Sequence, residues 1–187
     1  MSQRLLLVCG LLMTLPARAA ELDEYAFDFE DGCSRYHFTA RVQAPLDDVR
    51  RTLLEPARIA GTNDGIRHSR LVSRAADGSF VRDILMQQCV VGICFDIRFV
   101  EKVREENPGT IDVTQLPNAG SFRRGDARWT VRALAEGVTQ VSMQANQEPS
   151  FWVPPIIGPY LMRRTFAREV RETVQKIELV ANAEAVR

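Results

Sequence analysis

Hydrophobic and polar positions change period along the chain, and each change marks an element. Tyr36, Phe38, Ala40 and Val42 alternate with His37, Thr39, Arg41 and Gln43. A sustained period of two predicts a half-buried strand. Ala44-Pro45 ends it, because proline brings no N–H to a ladder. Leu46, Val49, Leu53 and Leu54 then fall at helical spacing behind Asp47 and Asp48, and early carboxylates favour a helix N-terminus. The pattern predicts a short helix over 46–54 and one more turn at 56–60, then a loop at 61–65. Residues 66–74, 79–91 and 94–104 read as strands, with Asp77-Gly78 as a hairpin signal between the first two. In the third, Phe95, Ile97 and Phe99 alternate with Asp96 and Arg98. Asn107-Pro108-Gly109 turns the chain into a strand over 110–116, and 117–124 reads as a loop. Ala127, Trp129, Val131 and Ala133 alternate with Arg128, Thr130 and Arg132, and after Glu136-Gly137 a last strand covers 138–147.

The final stretch changes period again. Residues 160–183 contain no proline or glycine, and Met162, Phe166, Val170, Val174, Ile177 and Ala181 recur every three or four positions. That is a long amphipathic helix. Ahead of the first strand, residues 21–34 are acidic and aromatic and read as an extended arm with a turn at Asp31-Gly32. The order is thus a strand, one or two short helices, about six more strands and a long closing helix. Short turns require the strands to pair antiparallel. One apolar helical stripe and one apolar sheet face must cover each other. A twisted sheet of six or seven strands curves more than a single helix can fill, so a pocket between them is expected.

The first residues add a compartment. Arg4, an apolar run over 5–15 and Ala17-Arg18-Ala19 have the order of a bacterial signal peptide. The run falls short of the roughly 20 residues that span a bilayer, so cleavage after Ala19 and export are expected, with a lipoprotein reading of Cys9 rejected because Val8 stands where a small residue belongs. The expected divisions are a leader at 1–19, the arm at 20–33, one domain at 34–183 and a tail at 184–187. The chain has 24 basic and 24 acidic residues; the leader takes Arg4 and Arg18 and no acid, which leaves the mature protein at −2. No net field would draw nucleic acid. No second apolar run approaches membrane length.

Cys33, Cys89 and Cys94 remain after cleavage, an odd number. Four residues separate Cys89 from Cys94, which lets them face each other across a hairpin mouth. A structural bridge in an oxidising compartment is the expectation, with Cys33 pairing to either of them as the alternative. A redox dithiol would want a two-residue gap and a helix start. A zinc site would need more ligands than His37 and His68 supply. No metal and no cofactor is expected.

The strand ending in Val42-Gln43-Ala44-Pro45, the helix beginning Leu46-Asp47-Asp48-Val49, the run of strands and the closing helix resemble the START-like (SRPBCC, helix-grip) superfamily over residues 34–183. Cys89-x4-Cys94, the segments 122–129 and 151–159 are similar to exported members labelled polyketide cyclase-like, and coenzyme Q-binding proteins share the superfamily. The resemblance implies an α+β helix-grip fold, a curved antiparallel sheet of about seven strands wrapped round a long C-terminal helix, with a hydrophobic cavity between them. It does not name a ligand.

No nucleophile elbow, phosphate loop or paired-histidine metal motif occurs. Asp83, Arg123, Asp126 and Arg128 are the polar groups to test as cavity-lining, each equally suited to a surface ion pair. His37 and His68 read as surface histidines. Phe122, Trp129, Met143, Trp152, Met162 and Phe166 are the candidate ligand contacts, because they lie on the elements that should surround a cavity and because aromatics and methionine suit an adaptable apolar site. Phe122 and Trp152 are expected in loops, with 117–125 and 148–158 forming a gate. The expected function is an exported carrier of a lipid, quinone or isoprenoid-like molecule, which admits transient membrane contact and needs no nucleic acid. The alternatives are a cyclase- or dehydratase-like enzyme and an envelope accessory protein that binds a protein partner.

Overall fold

The computed structural model describes residues 19–90 and 92–183. Residues 1–18, which carry nearly all of the expected leader, and the expected tail at 184–187 lie outside the described residues, as does Val91 at the end of the expected third strand. In chain order the elements are β1 (Glu21–Glu30), β2 (Cys33–Val42), α1 (Leu46–Leu54), α2 (Pro56–Ile59), a 3-10 turn (Ala60–Thr62), β3 (Ile66–Arg74), β4 (Phe80–Val90), β5 (Ile93–Asn107), β6 (Thr110–Gln115), β7 (Phe122–Ala135), β8 (Val138–Pro149) and α3 (Gly158–Asn182). The strands form one antiparallel sheet in the order β1-β2-β8-β7-β6-β5-β4-β3. Among the described residues no helix is long and apolar enough to cross a membrane.

The expected arm is a strand. Tyr25, Phe27 and Phe29 alternate with acidic and small residues, and Asp31 and Gly32, both at positive φ, turn the chain so that Glu30 pairs Cys33. Two left-handed residues are what a tight hairpin with right-twisted strands requires. The sheet therefore has eight strands rather than about seven, and β1 forms its edge beside β2.

The core lies at one end of the sheet–helix sandwich. Phe38, Ala40 and Val42 of β2, Val103 of β5, Ile111 and Val113 of β6 and Val141 of β8 face Val170, Val174, Ile177 and Ala181 of α3. Val49 and Leu53 of α1 close the same cluster. The small and β-branched side chains on the second half of α3 let the helix lie close to the sheet. The larger Met162 and Phe166 on its first half are only partly buried. The two layers thus meet tightly at one end and stand apart at the other.

The hairpin between β4 and β5 is closed by a Cys89–Cys94 disulfide, and the two cysteines are paired residues in the ladder. Cys33 is unbonded, which decides between the open pairings.

Candidate functional site

Where the layers part, a cavity of about 700 Å³ opens between the concave sheet face and the first half of α3. Small-molecule sites run from about 300 to 1,000 Å³. Strand alternation builds its walls. Phe95, Ile97 and Phe99 of β5, Trp129 of β7 and Met143 of β8 all point to the concave side, and Leu161, Met162 and Phe166 of α3 face them. The aromatic rings pack in pairs: Phe38 against Trp129 edge-on at 5.7 Å, Phe99 against Phe122 at 5.0 Å, and Tyr36 against Phe166 at 4.9 Å. Phe166 also meets Phe27 of β1 at 5.3 Å, so the edge strand helps to hold the helix that roofs the cavity.

All six residues singled out as ligand contacts, Phe122, Trp129, Met143, Trp152, Met162 and Phe166, border this one space. Phe122 is not in a loop, however. It is the first residue of β7 and is 5% exposed. The expected gate segment at 117–125 is pinned as well: Ser121 N–H donates to Arg98 O, Arg98 N–H donates to Ser121 Oγ, and Ser150 N–H donates to Ser121 O. A segment carrying cross-strand bonds of this kind is wall, not gate. The connection over 150–157 differs. Trp152 is 78% exposed although it borders the cavity, and Phe151 beside it is also exposed and packs on Phe95 at 6.4 Å. The mouth is there. Gly158 starts α3 directly against this connection, and a Cβ on it would come within 2.4 Å of Val153 Cγ1.

Sequence reasoning did not find the polar wall. Glu169 lies on the cavity side of α3, and its carboxylate accepts from Asn63 Nδ2 at 2.7 Å, Gln88 Nε2 at 2.8 Å and Arg168 at 3.0 Å. Burial pushes this carboxyl up, but the hydrogen bonds from Asn63, Gln88 and Arg168 outweigh it and the net shift is downward. Glu169 is therefore an ionised, satisfied group. A smaller space of about 170 Å³ adjoins the main cavity on its inner side and shares Tyr36, Met86, Phe99, Trp129 and Met143 with it. Arg82, Glu101, Gln115 and Gln147 border this inner end. Arg82 Nε donates to Glu101 Oε1 at 2.6 Å and its NH1 to Leu53 O, while Gln115 Nε2 donates to Glu101 Oε2 at 2.8 Å. Burial, and next the negative field of Glu101, pushes the Tyr36 phenol far above its ordinary range, so Tyr36, which borders both spaces, is a neutral phenol.

Of the polar candidates read from the sequence, Asp126 borders the inner space and the other three lie elsewhere. Asp83 is on the convex face of β4, held by Arg98 and Arg70 at 2.7–3.0 Å with His68 at 4.0 Å. The Arg98 hydrogen bonds, opposed by burial and reinforced by Arg70, bring its carboxyl down to about 2. Arg123 pairs with Glu148, Arg128 with Asp112, Asp126 accepts from Asn146, and His37 meets Glu24. Among the described residues no group of three or more His, Cys, Asp or Glu side chains is placed to hold a metal ion.

Neither a protein-family model nor a curated protein sequence matches the chain. Solved structures do. The Zhui aromatase/cyclase from a Streptomyces species superposes with a TM-score of 0.66 at 15% identity, covering 83% of this chain and 96% of that one. A START superfamily protein from Mycobacterium smegmatis gives 0.64 at 14% identity, over 80% and 97%. Human STARD10 gives 0.57 at 8% identity, over 82% and 72%. The fold is START-like.

Proposed function

We propose that this START-like chain is an exported binding protein or carrier for an elongated hydrophobic molecule, of the lipid, quinone or isoprenoid kind, taken up between the sheet and the first half of α3. One observation carries the reading: a cavity of about 700 Å³ walled by aromatic and sulfur side chains. Hiding ~10 methylenes there is worth about 8 kcal/mol before the costs of binding. Phe122, Trp129, Met143, Trp152, Met162 and Phe166 make the apolar contacts. The neutral Tyr36 hydroxyl and the Arg82–Glu101–Gln115 cluster receive the polar end of the ligand. Export rests on the Arg4, apolar run and Ala17-Arg18-Ala19 order in the sequence, and the Cys89–Cys94 bond suits an oxidising compartment.

The inner polar end also supports a second reading, a cyclase- or dehydratase-like enzyme, since a START-like neighbour is an aromatase/cyclase. The carrier reading is preferred because an acid–base catalyst wants groups that titrate near the working pH. Tyr36 is pushed up and Glu169 down, both away from neutrality. Uptake of a fluorescent apolar probe tests the cavity. Met162→Trp puts a bulkier ring into the roof of the space and should lower uptake at least tenfold, whereas Leu179→Trp, on the exposed side of α3, should leave it unchanged. Equal uptake by both variants contradicts the assignment. A bound ligand recovered with unaltered mass supports the carrier, and one that has lost water or cyclised supports the enzyme.

A further inference from the structure

Large apolar side chains left in water are concentrated at one place on this molecule. Among the described residues, Ile93, Phe95, Phe151, Trp152, Ile156, Ile157 and Tyr160 are exposed, Ile156 at 89% and Trp152 at 78%. All belong to the β4–β5 hairpin tip, to the connection that leads into α3 or to the first turn of α3, and the Phe95–Phe151 ring contact joins the hairpin to the connection. The remaining exposed large apolar residues, Leu71, Val72, Leu134 and Leu179, lie on β3, on β7 and at the far end of α3. Scattered exposed leucines need no explanation, but a contiguous apolar patch marks an interaction site. This patch surrounds the cavity mouth, since Phe95, Phe151 and Trp152 border the cavity itself.

The charge next to it is mostly positive. Residues 149–168 contain Arg163, Arg164 and Arg168 and no aspartate or glutamate. Arg163 and Arg164 are exposed one turn beyond Tyr160, and the Arg163 guanidinium also donates to Phe27 O of β1 at 3.3 Å. On the sheet side, Arg123 and Arg124 share the single carboxylate of Glu148, and Asp96 is the acid that borders the mouth. An apolar edge with tryptophan and tyrosine, followed by arginines, has the composition of a segment that lies in a lipid interface, its apolar side chains in the acyl boundary and its arginines at anionic headgroups. The disulfide and three prolines at 154, 155 and 159 restrict the two parts of the rim. Less conformational freedom is then lost when it docks.

We propose that this rim docks on an anionic phospholipid surface, with Ile93, Trp152, Ile156, Ile157 and Tyr160 in the interface and Arg163 and Arg164 at the headgroups, so that the cavity mouth faces the bilayer. Docking of this kind spares an apolar ligand a passage through water. The inference rests on the carrier reading above and names the surface from which the cargo is exchanged.

Flotation with liposomes tests it. Mature protein is mixed with vesicles of phosphatidylethanolamine and phosphatidylglycerol at seven to three, and with phosphatidylcholine vesicles, at low and at high salt. Ile156→Glu/Ile157→Glu is the docking variant; neither side chain borders the cavity and both are exposed, so folding and probe uptake from solution should be unchanged. The proposal expects the wild type to float with the anionic vesicles, the variant at least tenfold less, and wild-type binding to fall with salt and on phosphatidylcholine. Equal flotation of the variant overturns it. So does a wild type that takes up the apolar probe but ignores anionic vesicles. A wild type that forms a dimer which the variant dissolves, without vesicle binding, also overturns it and assigns the rim to a second copy. Variant-sensitive flotation by a protein that takes up no probe supports docking and removes the carrier reading instead.

Discussion

Trp129 and Trp152 border the same cavity, and they should respond to substitution in opposite ways. Trp129 stands edge-on to Phe38 inside the sheet's concave face, whereas Trp152 is mostly in water. Trp129→Ala should cost about 3 kcal/mol in a urea denaturation. Trp152→Ala should stay within about 0.5 kcal/mol of wild type yet release a bound ligand faster, and a folded variant with unchanged retention would remove Trp152 from the mouth. Asp83 sets a pH dependence. Its carboxyl titrates at about 2 in the folded chain against an ordinary 3.8, because the Arg98 and Arg70 hydrogen bonds outweigh burial. A lowered pKa stabilises fully above the ordinary value, and the contribution is lost as pH falls toward 2. Asp83→Asn should flatten the acid limb of a stability–pH profile in that window; an unchanged limb would show that the cluster contributes nothing. At this scale the apolar lining of the cavity was legible in the sequence and most of its polar lining was not. Strand alternation already places Trp129 and Met143 on one face. Nothing in the local pattern separates Glu169, which aims at the cavity, from Arg168 beside it, which does not; that depends on how α3 is rotated against the sheet.

At the scale of elements, the hairpin bridge gives a direct count. In denatured, unreduced protein prepared as residues 20–187 a thiol reagent should label one cysteine, Cys33, because Cys89 and Cys94 are joined; three labelled cysteines would contradict the bridge. Its loop is short, so the bond is worth roughly 2 kcal/mol in the chain-entropy view, and Cys89→Ser/Cys94→Ser should lower the unfolding midpoint accordingly. Most element boundaries followed from period and punctuation: the spans 46–54 and 66–74 were readable as they stand, since Pro45, the Gly61–Gly65 loop and the Asp77-Gly78 turn bound them. Two elements were misjudged for identifiable reasons. The acids at 21, 23, 24, 28 and 30 masked the Tyr25, Phe27, Phe29 alternation of β1, although Asp31-Gly32 already had the form of a tight hairpin turn. Gly120, Ser121 and Gly125 made the start of β7 look like a loop, but a register shift between Phe122 and Arg124 absorbs the irregularity and the strand begins at Phe122.

For the molecule as a whole, the size of the side chains along α3 decides the outcome. Val170, Val174, Ile177 and Ala181 bring its second half onto the sheet, and Met162 and Phe166 stand over an open space in its first half. The expectation that a curved sheet outruns a single helix was sound; the inner polar end at Arg82 and Glu101 was not visible before the strands were in register. The central claim is that the space holds a hydrophobic molecule. Native mass spectrometry of the chain prepared as residues 20–187, without detergent and followed by extraction, tests it most directly. The account predicts a stoichiometric adduct that releases one apolar compound with a single polar end, and that weakens in Met162→Trp. A protein that runs at its bare mass, and stays there after exposure to a panel of lipids, quinones and isoprenoids, would contradict it.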